Sequence, residues 1–211
     1  MQKKLFIIGF NKTGTRSLHQ LFEKSGYKAI HWDNGDLAYK IQQNIDNMCN
    51  PIKGYEEFDV FSDMEGTYGR PVMEAYRYFR AFYQAYPDAL FLLNYRDVDD
   101  WLRSKSLHGF RGHGYDIYLQ YYKDNFTYSN DEDVINHWRL SYYQHLADVI
   151  DFFKDKSNSL VLFNLDRDSA LDLANRLKAD FQLNPEHFKH VGKTTWTKED
   201  VKQSGAIWRK I

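Results

Sequence analysis

Apolar runs separated by segments of helical period constrain this chain most. Four runs read as buried strands: Leu5–Gly9, Val60–Ser62 with Phe58 just before it, Ala89–Tyr95 (ALFLLNY) and Leu160–Leu165 (LVLFNL). Lys28–His31 is a weaker fifth. Unbroken runs, as opposed to apolar–polar alternation, suit strands covered on both faces. Between them the spacing predicts helices over Arg16–Ser25, Gly35–Met48, Pro71–Tyr86, Asp97–Leu107, Asp131–Lys154 and Ser169–Phe181. Gly26, Asn50-Pro51 and Pro87 act as stop signals, and Asp97 as an N-cap. Strands alternating with helices predict an α/β fold: three layers, a mainly parallel sheet, helices on both faces. In such sheets ligands sit beyond the carboxyl ends of the strands, which directs attention to the loops that follow each run.

A chain of 211 residues reads as one domain over residues 1–211. With 28 Lys and Arg against 29 Asp and Glu, the near-zero net charge argues against a general nucleic-acid binder while leaving room for a local basic pocket. Cys49 is the only cysteine, so no intrachain disulfide forms, in keeping with a reducing compartment. Lys3 and Lys4 precede an apolar run too short for a signal peptide, and no stretch approaches the ~20 apolar residues of a membrane span. The expectation is a cytoplasmic protein without a membrane partner. The least organised segment, residues 109–133, is rich in Gly, Tyr, Asn and Asp and reads as a helical insertion or an acceptor-side lid.

The first strand runs into GFNKTGTRSL. Gly9 and Gly14 permit backbone angles that bulkier residues resist. A turn of inward-pointing amides followed by a helix N-terminus binds anions. Lys12 and Arg16 add positive charge, and Thr15 and Ser17 add hydroxyls, so the loop is a candidate phosphate cradle. It departs from G-x-x-x-x-G-K-[ST]: Lys12 precedes Gly14 instead of following the last glycine. A lysine early in the loop leans over a bound group. No Mg²⁺ ligand pair is evident, so no metal is expected to be required.

On these residues the loop resembles the phosphosulfate-binding loop of sulfotransferases that use 3′-phosphoadenosine 5′-phosphosulfate (PAPS). The resemblance implies a P-loop NTPase-like sulfotransferase fold, with Lys12 as the catalytic lysine. It implies that Thr13, Gly14, Thr15, Arg16 and Ser17 hold the 5′-phosphosulfate. A second stretch, FLLNYRDVDDWLRS, is similar to the strand–Arg–helix–Ser arrangement with which these enzymes grip the cofactor's 3′-phosphate. That implies Arg96 and Ser104. Asp97, Asp99 and Asp100 crowd the first turn of the helix and repel an anion there, so a phosphate has to lie alongside it. At ~1.5 Å per residue Ser104 is roughly 10 Å along the axis. An ion pair of Arg96 with Asp99 or Asp100 is the alternative. Trp101 and Leu102 read as core.

Near the end, HVGKTTW contains GKTT, but His187 stands where the first glycine of that motif belongs. By resemblance to a basic C-terminal loop over the 3′-phosphate, Lys193 and Thr194, with Thr195, become cofactor contacts, and Trp196 a stacking group. A solvated tail remains the alternative. Transfer to an alcohol needs a base, and Asp63 and then Glu65 fall at the carboxyl edge of the third strand. His31, His108 and His113 are further candidates, and His19 reads as structural. The resemblance implies sulfuryl transfer to a hydroxyl or amine of a glycan or small-molecule acceptor. Two other readings stay open: a P-loop small-molecule or nucleotide kinase needing Mg²⁺ and ATP, and a non-catalytic nucleotide-binding protein of the same fold. Tyr115, Tyr118, Tyr121 and Tyr122 either stack on an acceptor or pack a helix, with packing the favoured reading.

Overall fold

The structure, a computed structural model, describes residues 2–67, 71–106 and 117–189. In chain order it comprises β1 (Leu5–Ile7), α1 (Thr15–Lys24), β2 (Ala29–His31), α2 (Asp36–Asp46), β3 (Val60–Ser62), β4 (Glu65–Gly66), β5 (Met73–Glu74), α3 (Phe79–Ala85), β6 (Leu90–Tyr95), α4 (Val98–Ser106), α5 (Ile117–Phe126), α6 (Asp131–Phe153), β7 (Leu160–Asn164) and α7 (Ala170–Leu177). Five strands form one parallel sheet in the order β2-β3-β1-β6-β7. β4 and β5 make a short antiparallel pair beside it.

The alternation of side chains along β1 sorts the core into two layers. Leu5 and Ile7 join α1 and α7 through Leu18, Leu21, Phe22, Leu173 and Leu177. Phe6 and Ile8 join the opposite layer, with Ile41 of α2, Phe82 of α3, Trp101 of α4 and Trp138 of α6. Right-handed crossovers produce this division. The chain leaves β1 toward one edge of the sheet and leaves β3 and β6 toward the other, so their helices fall on opposite faces. The second layer is aromatic: Phe6 stacks on Phe82 at 4.6 Å and lies 5.5 Å from Phe91.

Local signals set most helix ends. Gly26 takes a positive φ of 95° just beyond α1. Asp97 Oδ1 accepts from the amides of Asp99 and Asp100 at 2.9 and 3.1 Å, capping α4. Asn130 caps α6, and Ser169 with Asp172 forms a capping box on α7.

One expected helix is corrected. Pro71–Tyr86 is not a continuous helix: Met73–Glu74 is β5, Ala75–Tyr78 is a 3₁₀ turn, and only Phe79–Ala85 is α-helical. Tertiary bonds overrule the helical spacing. Ala75 N–H donates to Met64 C=O at 2.9 Å, and Glu74 is held by Arg77 and Tyr122. Within residues 109–133, the described part is mostly α5, whose Leu119 and Tyr122 are buried against the rest of the protein. No described helix is long and apolar enough to cross a membrane.

Candidate active site

β1 lies at the centre of the sheet, so the loop after it opens at the middle of the carboxyl edge. Its shape is fixed from β6. Asn94, fully buried, accepts from Gly9 N–H at 3.0 Å and donates to Thr13 O and Thr13 Oγ1 at 3.1 and 2.6 Å. Thr13 Oγ1 in turn donates to Phe10 C=O. A Cβ on Gly9 would lie 2.0 Å from Asn94 O, so only glycine fits there. Lys12 and Gly14 adopt positive φ of 64° and 86°, which turns the chain sharply into α1. Trp101 Nε1 donates to Asn11 C=O at 2.9 Å and anchors the outer side. The Thr13 hydroxyl therefore belongs to the loop's internal bracing.

α1 starts at Gly14 with no side-chain cap and no acidic residue in its first turn. The positive end of its dipole thus faces the loop with no acidic residue of its own first turn against it. Arg16 is exposed there, and Thr15 and Ser17 are buried in the first turn. Burial pushes the Lys12 ammonium down to about 8, against the pull of Asp63 and with the help of Arg16 and Arg96.

Asp63 follows β3 with a positive φ of 53°, a left-handed turn that is strained for a non-glycine residue. Its side chain is 17% exposed and takes a hydrogen bond from Thr15. Burial lifts its carboxyl to about 6, with Lys105, Lys12, Arg16 and the Thr15 bond opposing. His31 Nε2 stands 3.3 Å from Asp63 Oδ2. Burial holds the His31 imidazole down at about 3, with His19 and Arg16 acting in the same direction.

Glu65 is placed differently. It is 2% exposed, and both carboxylate oxygens meet Lys105 Nζ at 3.0 and 3.3 Å. Lys105 is fully buried and lies 5.1–5.5 Å from the rings of Trp101, Tyr118, Tyr122 and Trp138. The neighbouring Glu74 accepts from Arg77 and Tyr122 at 2.6 and 2.7 Å. The charges of Arg77 and Lys105, helped by these bonds, lower its carboxyl to about 2 despite burial. Glu65 thus pairs with a buried cation, and burial lifts its carboxyl to about 7 against the pull of Lys105.

Arg96 follows β6, and Tyr142 grips its backbone: Arg96 N–H donates to the phenol at 3.0 Å, and the phenol donates to Arg96 C=O at 2.7 Å. Its guanidinium Nη2 lies 3.4 Å from Asp166 and 3.9 Å from Asp100. Its Nε is buried and has no hydrogen-bond partner among the described residues. Ser104 is half-buried two turns into α4. Lys193, Thr194, Thr195, Trp196, His108 and His113 lie outside the described residues. Asn94, Tyr142, Asp166 and Lys105 went unread in the sequence, although Asn94 stands out as an amide inside the apolar run ALFLLNY.

A family model described as a sulfotransferase domain matches residues 4–113, slightly more than half of the chain. The chain belongs to the sulfotransferase family. The match takes in the β1–α1 loop, Asp63, Arg96 and Ser104. A crystal structure of a sulfotransferase from Alicyclobacillus acidocaldarius aligns with a TM-score of 0.53 over 97% of this chain and 90% of that one, at 14% identity. At that identity the likeness establishes the shared fold: a five-stranded parallel sheet flanked by helices, as in a sulfotransferase. A comparison with curated proteins finds no match.

Proposed function

We propose that this sulfotransferase-family protein moves a sulfuryl group from PAPS to a hydroxyl or amine of a small-molecule or glycan acceptor. The observation that carries the reading is the pairing, across the carboxyl edge of one sheet, of an uncapped helix N-terminus bearing Lys12 with the carboxyl group of Asp63. Bound PAPS would supply an activated sulfuryl group whose leaving group is a phosphate.

The residues fit that donor at two separate points. The α1 N-terminus, Arg16 and the loop amides suit the 5′-phosphosulfate. Arg96 suits the 3′-phosphate: its buried, unpartnered Nε has hydrogen-bonding capacity left over, and a phosphate oxygen would satisfy it. Ser104, half-buried on the α4 helix that follows, would be a further hydroxyl donor. Gripping the far end aligns the reacting end, so binding remote from the chemistry contributes to rate.

Lys12 stabilises the negative charge that develops on the bridging oxygen and the sulfuryl oxygens. With its ammonium lowered to about 8, it remains charged at neutral pH. Asp63 takes the proton from the acceptor hydroxyl. A carboxyl near 6 is a stronger base than an ordinary aspartate and is still ionised at pH 7. The scheme places all positive charge on side chains and amides and expects no metal requirement.

The test is Lys12→Ala assayed for sulfate transfer across an acceptor panel. Turnover is expected to fall roughly 10²–10³-fold, the range for removing one transition-state donor, with modest loss of affinity for 3′-phosphoadenosine 5′-phosphate. Wild-type turnover in that variant would remove Lys12 from the chemistry.

A further inference from the structure

His31 ends β2 and Ser62 ends β3, and the two face each other in register. Ser62 Oγ lies 3.0 Å from His31 Nδ1 and 3.2 Å from Ile30 C=O. Across the same imidazole, Nε2 lies 3.3 Å from Asp63 Oδ2. A serine hydroxyl has one proton to donate. With that proton turned toward His31 Nδ1, the ring is neutral and its Nε2–H donates to an ionised Asp63. With it turned toward Ile30 C=O, Nδ1 carries a hydrogen and donates to Ser62. Nε2 and Asp63 then hold a further proton between them. The two arrangements differ by one proton and one hydroxyl rotation, and each matches every donor to an acceptor.

We propose that Ser62, His31 and Asp63 form a proton-holding relay: Ser62 Oγ, its own proton on Ile30 C=O, accepts from His31 Nδ1–H, and the bare Nε2 then shares the proton that Asp63 removes from the acceptor. The inference rests on the sulfuryl-transfer reading. In that reaction the acceptor O–H bond breaks as the acceptor oxygen bonds to sulfur. The bond from sulfur to the phosphate oxygen breaks, and its electron pair stays on that oxygen. The proton passes to Asp63, is shared with His31 Nε2, and then leaves to solvent. His31 acts through Asp63 and is a positioning residue.

The surroundings bias where that proton rests. Asp63 is faced by Lys12, Thr15 and Arg16 from the loop and α1, by Lys105 from α4, by Glu65 from β4 and by Tyr118 from α5. His31 is faced by Arg16 and by His19, whose ring centre is 5.2 Å away and which itself pairs with Glu23 at 3.8 Å. Burial together with these neighbouring groups keeps His31 from charging alone, while burial raises Asp63. The shared proton therefore sits mainly on Asp63, with Nε2 as its acceptor. Groups this close titrate as a unit.

The experiment is an NMR titration of nucleotide-free protein labelled at the Asp carboxyl carbons and His nitrogens, alongside the pH profile of kcat/KM. The Asp63 carboxyl and the His31 nitrogens are expected to respond at one common midpoint. His31→Gln removes the ring acceptor and leaves an amide that favours the carboxylate. It should shift the Asp63 midpoint and the acid limb of the profile together, by roughly tenfold in acidity. Ser62→Ala should shift both the same way by less, with the imidazole still in place. Independent midpoints for the two groups overturn the relay, as does a His31→Gln variant whose Asp63 midpoint and profile stay put. Wild-type protein that fails to bind 3′-phosphoadenosine 5′-phosphate in calorimetry overturns instead the sulfuryl-transfer reading and with it the relay's catalytic use. The titration itself needs no nucleotide, so the two failures are distinguishable.

Discussion

Asp63 and Glu65 stand two residues apart after the same strand, and their surroundings give them opposite work. Glu65 is sealed beneath α4 and α5 against the Lys105 ammonium, inside a ring of aromatic side chains. Asp63 is 17% exposed and meets a hydroxyl, an imidazole and the edge of the β1–α1 loop. A buried carboxylate matched by a buried cation is held against that cation, and removing either partner strands the other. Burial raises both carboxyls, Asp63 to about 6 and Glu65 to about 7, but only Asp63 keeps an exposed edge beside the β1–α1 loop. The difference arises from the turn between them, where Asp63 takes a left-handed conformation that points the two consecutive acidic positions into separate environments.

Neutralising each carboxylate breaks the comparison most strongly. Asp63→Asn should lower turnover by roughly 10²–10⁴-fold, the range for a lost general base, measured as kcat with saturating donor. The same change should stabilise the protein. Asp63 in the fold holds its proton up to about 6, above the ordinary 3.8, so the folded state binds protons that the unfolded chain releases between those values. Ionisation at neutral pH therefore opposes folding, and the asparagine should add about 1–3 kcal/mol at pH 7 in urea unfolding. Glu65→Gln should destabilise the protein instead, by leaving the buried Lys105 ammonium without its matching carboxylate. Replacing both partners, Glu65→Leu with Lys105→Met, should recover most of that loss, because the cost belongs to the orphaned charge. Finally, kcat/KM should rise with pH through a limb near about 6 and reach a plateau above it. A profile flat across that range would deny Asp63 its distinct role and make the two carboxylates alike.

The sequence made the frame of this site readable because the frame depends on local signals. An apolar run ending in glycine, a polar loop after it and helical spacing beyond predicted β1, the turn and α1. FLLNYRD likewise located Arg96 at a strand end. What escaped depends on register and crossing. Nothing local shows that His31 and Ser62 pair across adjacent strands, or that Asn94 reaches back to brace Gly9 and Thr13. Lys105 sits in a charged stretch, DVDDWLRSKS, where nothing marks it as buried; its burial needs Glu65 and α5 brought against it. The mistaken helix over Pro71–Tyr86 has the same cause: Glu74 is drawn into that buried charge network, and the chain pairs with β4 before it turns helical.

The central claim is that the sheet edge grips one nucleotide at two anionic ends. Isothermal titration calorimetry of the wild-type protein and Arg96→Ala, with 3′-phosphoadenosine 5′-phosphate, adenosine 5′-phosphate and ATP, tests it most directly. The account predicts that 3′-phosphoadenosine 5′-phosphate binds without Mg²⁺ and more tightly than either other nucleotide. It predicts that Arg96→Ala weakens it roughly 10–100-fold, as expected for a lost charged hydrogen bond, while adenosine 5′-phosphate is little changed. Binding of ATP with Mg²⁺ in preference to 3′-phosphoadenosine 5′-phosphate, or equal weakening of both monophosphate-ended ligands, would contradict it.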